Sequence, residues 1–254
     1  MVWNPQQYLA FADHRLRPVI DLLARIPAEA PARVTDLGCG AGNATKLLQQ
    51  KWPDARITGV DSSPEMMARA RRESPDIDWV DADIATWQAA DPPDVLFSNA
   101  ALHWLGEHET LFPALARQVR PGGALAIQMP ANFGAPSHTV ATAVMQDPRW
   151  RPYIDPAVLP PGTREPAFYY DLLRPIVRAL DIWSIEYLQV LQGEDPVAGF
   201  TKGSLLPPIL ESLPEAERTP FEDEYKARLR DAYPKRPDGA TLFPFRRLFI
   251  VAQL

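Results

Sequence analysis

Apolar positions alternate between helical and strand spacing through the first half of the chain, and the rhythm is lost in the second half. Asn4-Pro5 reads as a helix start, with Asn as cap and Pro at the first helical position. Tyr8, Phe11, Ala12 and Leu16 follow at helical spacing. Pro18 predicts a break, and Val19, Ile20, Leu22 and Leu23 then form a second helix ending near Ile26-Pro27. Arg33–Leu37 is a short apolar strand that runs into Gly38-Cys39-Gly40-Ala41-Gly42, and Asn43–Lys51 is a helix. Strands are predicted at 56–60, 78–80, 94–98 and 124–129. Ser62, Ser63, Pro64 and Glu65 open a helix between the first two of these, with Pro at its start and a capping carboxylate. A helix over 107–119 is stopped by Pro121-Gly122-Gly123.

Strand and helix thus alternate five times with short connections, the pattern of an α/β fold with a parallel sheet. Beyond Met129 the chain becomes rich in proline and aromatic residues, with Phe133, Trp150, Tyr153, Phe168, Tyr169 and Tyr170. A strand follows at 182–191, helical stretches with charged faces at 196–233, and a closing strand at 245–252. The irregular segments read as insertions covering the carboxyl edge of one sheet. A single domain is expected over 1–254. Its core spans about 30–130 plus strands near 181–191 and 245–252, and a cap comes from 1–26, 131–180 and 192–243.

Composition narrows the functions open to such a fold. Lys and Arg number 26 against 32 Asp and Glu, a net charge of −6 with no basic run, which disfavours nucleic acid. No apolar stretch is long enough for a membrane span, and the N-terminus lacks a basic start followed by an apolar block. Cys39 is the only cysteine, so a cysteine-built metal site and an internal disulfide are not expected, and a cytoplasmic location is. Of the 28 prolines, 17 lie at or after Pro130, which concentrates stiffness in the insertions. The 13 glycines are few, yet Gly38, Gly40 and Gly42 fall within five positions, which makes that turn the place to look for chemistry.

A strand, a glycine turn and a helix bring backbone N–H groups close to a ligand. Here Asn43 stands where a dinucleotide fingerprint has its third glycine, and Asp36 precedes the turn. A carboxylate there repels a pyrophosphate and holds an ammonium group. Asp61 closes the second strand, 19 positions after Gly42, where a carboxylate accepts ribose hydroxyls. Asp83-Ile84, after the third strand, suits an adenine amino group and ring face. Three acids on successive strand ends describe a cationic adenosine such as S-adenosylmethionine. Taken singly, glycines after a strand are often plain turns and Asp at a strand end is often a helix cap.

Asp36–Gly42, Gly59-Val60-Asp61-Ser62-Ser63, 81–84 and Asn99-Ala100-Ala101-Leu102-His103-Trp104 resemble the class I S-adenosylmethionine-dependent methyltransferases. Within them the chain is similar, over its whole length, to the trans-aconitate methyltransferases. That likeness rests on Trp3-Asn4-Pro5, Tyr8-Leu9, Phe11-Ala12, Arg15 and Arg17-Pro18. It rests also on Gln128-Met129-Pro130, Tyr169-Tyr170-Asp171, Asp181-Ile182-Trp183 and the 243–252 segment. The resemblance implies a seven-stranded, mostly parallel Rossmann-like sheet with helical cap insertions. It also implies methyl transfer from S-adenosylmethionine to a carboxylate of trans-aconitate, leaving a monomethyl ester and S-adenosylhomocysteine. Implied cofactor contacts are Asp36, Gly38, Cys39 (through its backbone) and Gly40 from the turn. Asp61, Ser62 and Met66 are implied after the second strand, Asp83, Ile84 and Asn99 beyond it, and Phe11 from the N-terminal helix.

The nucleophile is a carboxylate, ionised at pH 7, so no general base is needed, and the chemistry calls for no metal. Charge is cancelled in the transition state, so the protein must position the acceptor, exclude water and bind its remaining carboxylates. Arginine suits that last task because its fork matches a carboxylate. Implied acceptor contacts are Tyr8, Arg15, His103, Trp104, Arg164, Tyr169 and Arg246. Arg17 and Arg247 are further candidates, and only one of the adjacent pair Arg246 and Arg247 can point inward because side chains alternate along a strand. Solvated helix and strand faces account equally well for Arg15 and Arg17, and packing accounts for His103-Trp104 and Tyr169. The family pattern places an Arg before the proline that is Pro207 here. Leu206 stands in its place, with Lys202 nearby, so another small carboxylic acid remains open as acceptor. A nicotinamide-dependent oxidoreductase and a non-catalytic cofactor-binding module are the readings from other classes.

Overall fold

The computed structural model describes residues 12–254, with side chains from residue 16 onward. Tyr8 and Phe11 lie outside the described residues, and so does the side chain of Arg15. Helix α1 (Ala12–Leu23) runs through Pro18 without the expected break. A proline costs a helix one N–H donor and crowds the preceding turn. Here Val19 and Leu22, one and four positions beyond it, are fully buried, and that apolar face offsets the lost bond.

The sheet contains β1 (Arg33–Leu37), β2 (Arg56–Asp61), β3 (Asp78–Asp81), β4 (Val95–Asn99), β5 (Ala124–Pro130), β6 (Ala179–Leu191) and β7 (Thr241–Gln253). Between the early strands run α2 (Asn43–Lys51), α3 (Pro64–Glu73) and α4 (His108–Gln118). The strand order is β3-β2-β1-β4-β5-β7-β6, with β1 to β5 parallel and β7 antiparallel to β5. β7 begins at Thr241, before the position the sequence suggests. Pro244 hides the extension, but Thr241, Phe243 and Phe245 are buried while Pro244 and Arg246 are exposed, the period of a half-buried strand.

The chain steps from β1 outward to β2 and β3, then starts again on β1's other side at β4. A parallel sheet opens a crevice at the carboxyl ends of its strands where the order reverses. That point falls between the ends of β1 and β4, at Leu37 and Asn99. Register decides which side chains meet there, because cross-strand partners share a face. Asp36 lies opposite Phe97, Asn99 opposite Gln128, Gln128 opposite Phe249 and Pro130 opposite Arg247. Asp36, Phe97, Asn99, Gln128 and Arg247 therefore occupy one face. The other face carries Leu96, Leu125, Ile127, Met129, Leu248 and Ile250, packed with Phe112 and Leu115 of α4 into a dry core.

The described residues divide into two compact units. The sheet unit holds Arg15–Ala131, Pro161–Ile185 and Arg247–Leu254. The other, from Asn132–Pro160 and Glu186–Arg246, has its own core. There α5 (Pro136–Met145), α7 (Pro196–Thr201), α8 (Leu206–Ser212) and α9 (Glu215–Ala232) gather around Phe200, Phe221, Tyr225 and Phe243, while α6 (Pro166–Leu173) belongs to the sheet unit. No described helix is long and apolar enough to cross a membrane.

Candidate active site

β1 ends in the glycine turn, and the turn is anchored to β2. The N–H groups of Gly38 and Cys39 both donate to the carbonyl of Val60, at 2.8 and 3.1 Å. Gly38, Gly40 and Gly42 all have positive φ, at +72°, +55° and +82°. A Cβ on Gly38 would sit 2.2 Å from the Cβ of Ala101 and 3.2 Å from Ile84, so this position admits only glycine. A Cβ on Gly40 would meet nothing within 4 Å. The backbone is locked from behind at Gly38 and open in front at Gly40, which is what a ligand cradle needs.

Asp61 is the clasp of this cradle. Its Oδ2 accepts from the Gly40 N–H at 2.9 Å and its Oδ1 from the Ser63 N–H at 2.8 Å. A carboxylate has about four lone-pair sites, so two acceptor positions remain for a ligand. Ser63 in turn caps α3, accepting from the Met66 N–H, which leaves Met66 buried and Ser62 exposed. Asp83 is exposed and accepts from the Ala85 N–H at 2.9 Å, and its neighbour Ile84 is half-buried against the position of Gly38.

Asp36 is buried, with 1% of its surface exposed. Burial pushes its carboxyl up to about 7, repulsion from Asp61 adds to the rise, and the Thr45 hydroxyl, donating at 2.7 Å, opposes it. An unfolded Asp titrates near 3.8, so the folded chain holds an extra proton between that pH and 7 and loses stability as pH rises through the window. Asp36→Asn removes this loss. Urea unfolding is expected to find the variant more stable than the parent by ~1–3 kcal/mol at pH 8 and by less at pH 5. A gain independent of pH would contradict the assignment. Cys39 is buried beside both acids, and burial and their charges push its thiol well up, so it stays protonated.

Beyond β4 the chain turns sharply. Ala100 adopts φ +54°, its N–H donates to the Gln128 carbonyl at 2.9 Å, and Leu102–Trp104 form a 3₁₀ turn. His103 is buried, its ring 5.2 Å from that of half-buried Trp104. The His103 carbonyl accepts from the Gly162 N–H at 3.1 Å, which ties the 161–173 segment to the turn. On this sheet face Asn99 Oδ1 and Gln128 Nε2 are buried without a partner among the described residues. Each such atom costs about 1–3 kcal/mol, a penalty a ligand would relieve.

The expected acceptor residues are not all gathered here. Tyr169 is fully buried; its hydroxyl lies 2.9 Å from His108 Nδ1 and accepts from the Arg164 N–H at 3.1 Å. With Phe112 and Phe168 against its ring, it ties the 164–169 segment to α4. The Arg164 side chain is exposed, pairing with Glu109 at 3.3 Å. Arg246 is exposed, whereas Arg247 is 4% exposed and donates from Nη1 to Gln128 Oε1 at 3.3 Å, so Arg247 is the inward member of the pair. In the other unit Leu206 is fully buried in the core, and Lys202 binds Glu222 through both carboxylate oxygens at 3.0 and 3.1 Å.

Two contributors escape a reading of the motifs, and a third, Gln128, enters it only as part of the family resemblance. Thr45 holds Asp36. Trp79 fills the space a Cβ would need at Gly59, at 2.3 Å, and its indole donates to the Ser74 carbonyl. Gln128 is a polar residue inside an otherwise apolar strand, the one sequence signal that could have marked it.

A glycine turn clasped by acids at the switch point of this seven-stranded sheet is the class I methyltransferase arrangement. Residues 34–123 match the methyltransferase domain family. A solved Bacillus subtilis protein, YcgJ, shares the fold at a TM-score of 0.61 with 15% identity, covering 93% of this chain and 97% of its own. A putative methyltransferase from Bacillus halodurans does so at 0.59 with 10% identity, covering 93% and 98%. Trans-aconitate 2-methyltransferase of Azoarcus sp. is 46% identical over 250 residues, 98% of either chain. That of Rhodococcus jostii is 43% identical over the whole of both chains. The chain belongs to the trans-aconitate 2-methyltransferase family. Membership sets aside the oxidoreductase reading of the glycine turn.

Proposed function

We propose that the protein transfers a methyl group from S-adenosylmethionine to a carboxylate of trans-aconitate, forming a monomethyl ester. The cradle at Gly38–Asp61 carries the cofactor half of this reading, and family membership carries the acceptor. S-adenosylmethionine, when bound, supplies an electrophilic methyl group on a sulfonium.

The residues of the cradle fit that group. Gly40 leaves room for it, the free acceptor positions of Asp61 suit ribose hydroxyls, and buried Asp36 suits the ammonium end. Asp83 and Ile84 suit the adenine, with Cys39 contributing backbone only and Ser62 and Met66 lining the ribose side. Ionised Asp36 attracts the ammonium and protonated Asp36 does not, so cofactor affinity rises with pH through about 7. Asn99 stands at the end of β4, between cofactor and acceptor. The family resemblance assigns Phe11 to the cofactor and Tyr8 and Arg15 to the acceptor.

His103 and Trp104 wall the acceptor from water, which would otherwise stabilise the separated charges of the reactants more than their transition state. The acceptor carboxylate is ionised at pH 7, and no side chain has to remove a proton. The protein acts on a small acid in the cytoplasm. The test uses methyl-labelled S-adenosylmethionine and trans-aconitate, followed by base hydrolysis and counting of volatile labelled methanol. Label released as methanol is expected; none, with cofactor binding intact, would overturn the acceptor.

A further inference from the structure

We infer that the side-chain amide of Gln128 positions the acceptor, donating from Nε2 to one of its carboxylate oxygens. Gln128 is fully buried in β5, and every other residue of that strand is apolar. An apolar side chain would fill the place without the cost of an orphaned amide. The fold fixes this amide. Arg247 Nη1 donates to its Oε1 at 3.3 Å, and a guanidinium can only donate, so Oε1 faces Arg247 and Nε2 faces away. The backbone is held as well: the Gln128 carbonyl accepts from the Ala100 N–H at 2.9 Å, tying β5 to the turn after β4.

Nε2 is buried and forms no hydrogen bond among the described residues. An acceptor stands close by. Asn99 is the register partner of Gln128, and its Oδ1 is also buried without a partner. Neighbouring strands lie about 4.8 Å apart, within reach of two side-chain amides, yet this donor and this acceptor do not bond each other. Both are left for a ligand over the sheet edge.

Polarity along that edge decides which ligand group each one meets. Outward from the cradle come the carboxyls of Asp61 on β2 and Asp36 on β1, then the amide oxygen of Asn99 on β4, then the amide N–H of Gln128 on β5. The edge passes from acceptors, which hold a cation, to a donor, which holds an anion. Gln128 is two strands beyond β1, roughly 10 Å, and so lies on the acceptor side of the cradle. A carboxylate oxygen satisfies the buried donor. A ligand with no oxygen there leaves it orphaned, which is how a buried polar group selects its substrate.

This inference rests on the function proposed above, and the test separates the two. Gln128→Glu keeps an oxygen for Arg247 and replaces only the donor, by a second oxygen. Gln128→Met removes oxygen and donor together and brings no charge. Urea midpoints are compared with calorimetric binding of trans-aconitate to protein loaded with S-adenosylhomocysteine, and with label transfer. Gln128→Glu is expected to be the more stable variant and the poorer binder, more than 100-fold weaker than the parent, because one carboxylate then faces another. Gln128→Met is expected to be the less stable variant, having lost the Arg247 bond, and to bind about 30-fold more weakly than the parent. KM rises in the same order, while kcat and S-adenosylmethionine affinity stay within about 3-fold of the parent. A role in packing alone would put stability and binding in the same order.

Binding that falls in step with stability, or that stays within 3-fold of the parent in both variants, would overturn the donor and leave the reaction standing. Should Gln128→Met not fold, parent-like binding by Gln128→Glu overturns the donor by itself. Weaker binding in the expected order, with no methanol formed by the parent, would keep the donor and overturn the reaction. No binding and no turnover by the parent would overturn both.

Discussion

Asp61→Ala is expected to weaken S-adenosylmethionine binding about 100-fold or more. The carboxylate does two jobs at once. It accepts the Gly40 and Ser63 N–H groups, and so holds the glycine turn of β1 against the start of α3. Its remaining lone pairs are the acceptors for the ribose. Hydrogen bonds to a charged acceptor are worth about 1.5–3 kcal/mol each, so losing two ligand contacts alone accounts for a hundredfold. Alanine also strands the two backbone donors, and water entering the space would satisfy them only by loosening the turn. Calorimetric titration of parent and variant decides the matter. An affinity within 3-fold of the parent would remove Asp61 from the cofactor site. Asp61→Asn is the informative companion: it keeps an acceptor for one backbone N–H but lacks the charge, and an intermediate loss is expected.

The second large effect is on stability. Gly38→Ala is expected to destabilise the protein by about 2–4 kcal/mol, read as a fall in the urea midpoint with an unchanged slope. Two causes add. An alanine at φ +72° pays for a left-handed backbone, about 1 kcal/mol. Its Cβ would also lie 2.2 Å from that of Ala101, and neither atom can rotate away, since both are fixed to backbone. The turn after β4, with Ala100 at φ +54°, would have to shift, and Asn99 and His103 with it. Cofactor affinity is therefore expected to fall together with stability. Gly40→Ala is the control, with strain of the same backbone kind and no clash. A Gly38→Ala protein no less stable than Gly40→Ala would show that Ala101 does not press on the turn.

Much of this site was legible in the chain because its signals are local. Strand, glycine turn and helix follow one another within twenty residues, and three strand-end acids recur at the spacing of a βαβ unit. The physics that selects them, positive φ and a carboxylate beside an ammonium, acts over one or two residues. The weakest local signals misled. Pro18 suggested a break that the burial of Val19 and Leu22 overrides, and Pro244 masked the start of β7.

The acceptor side was far less legible. The sequence reading implied Arg164, Tyr169 and Arg246 as acceptor contacts and kept Arg247 as a further candidate, since nothing local ranks the adjacent arginines. The fold ranks them by long-range pairing: a helix residue for Arg164's partner, a buried histidine for Tyr169's hydroxyl, and the antiparallel register of β7 on β5 for the arginines. A one-residue slip in that register would exchange Arg246 for Arg247. The sequence by itself determined the cradle, the identity of its acids and the family. Tertiary structure alone decided which arginine is buried, that Gln128 is turned to meet it, and that burial lifts Asp36 into the neutral range. Each of these depends on what lies across the sheet, and contacts between strands distant in the chain leave no pattern in the chain itself.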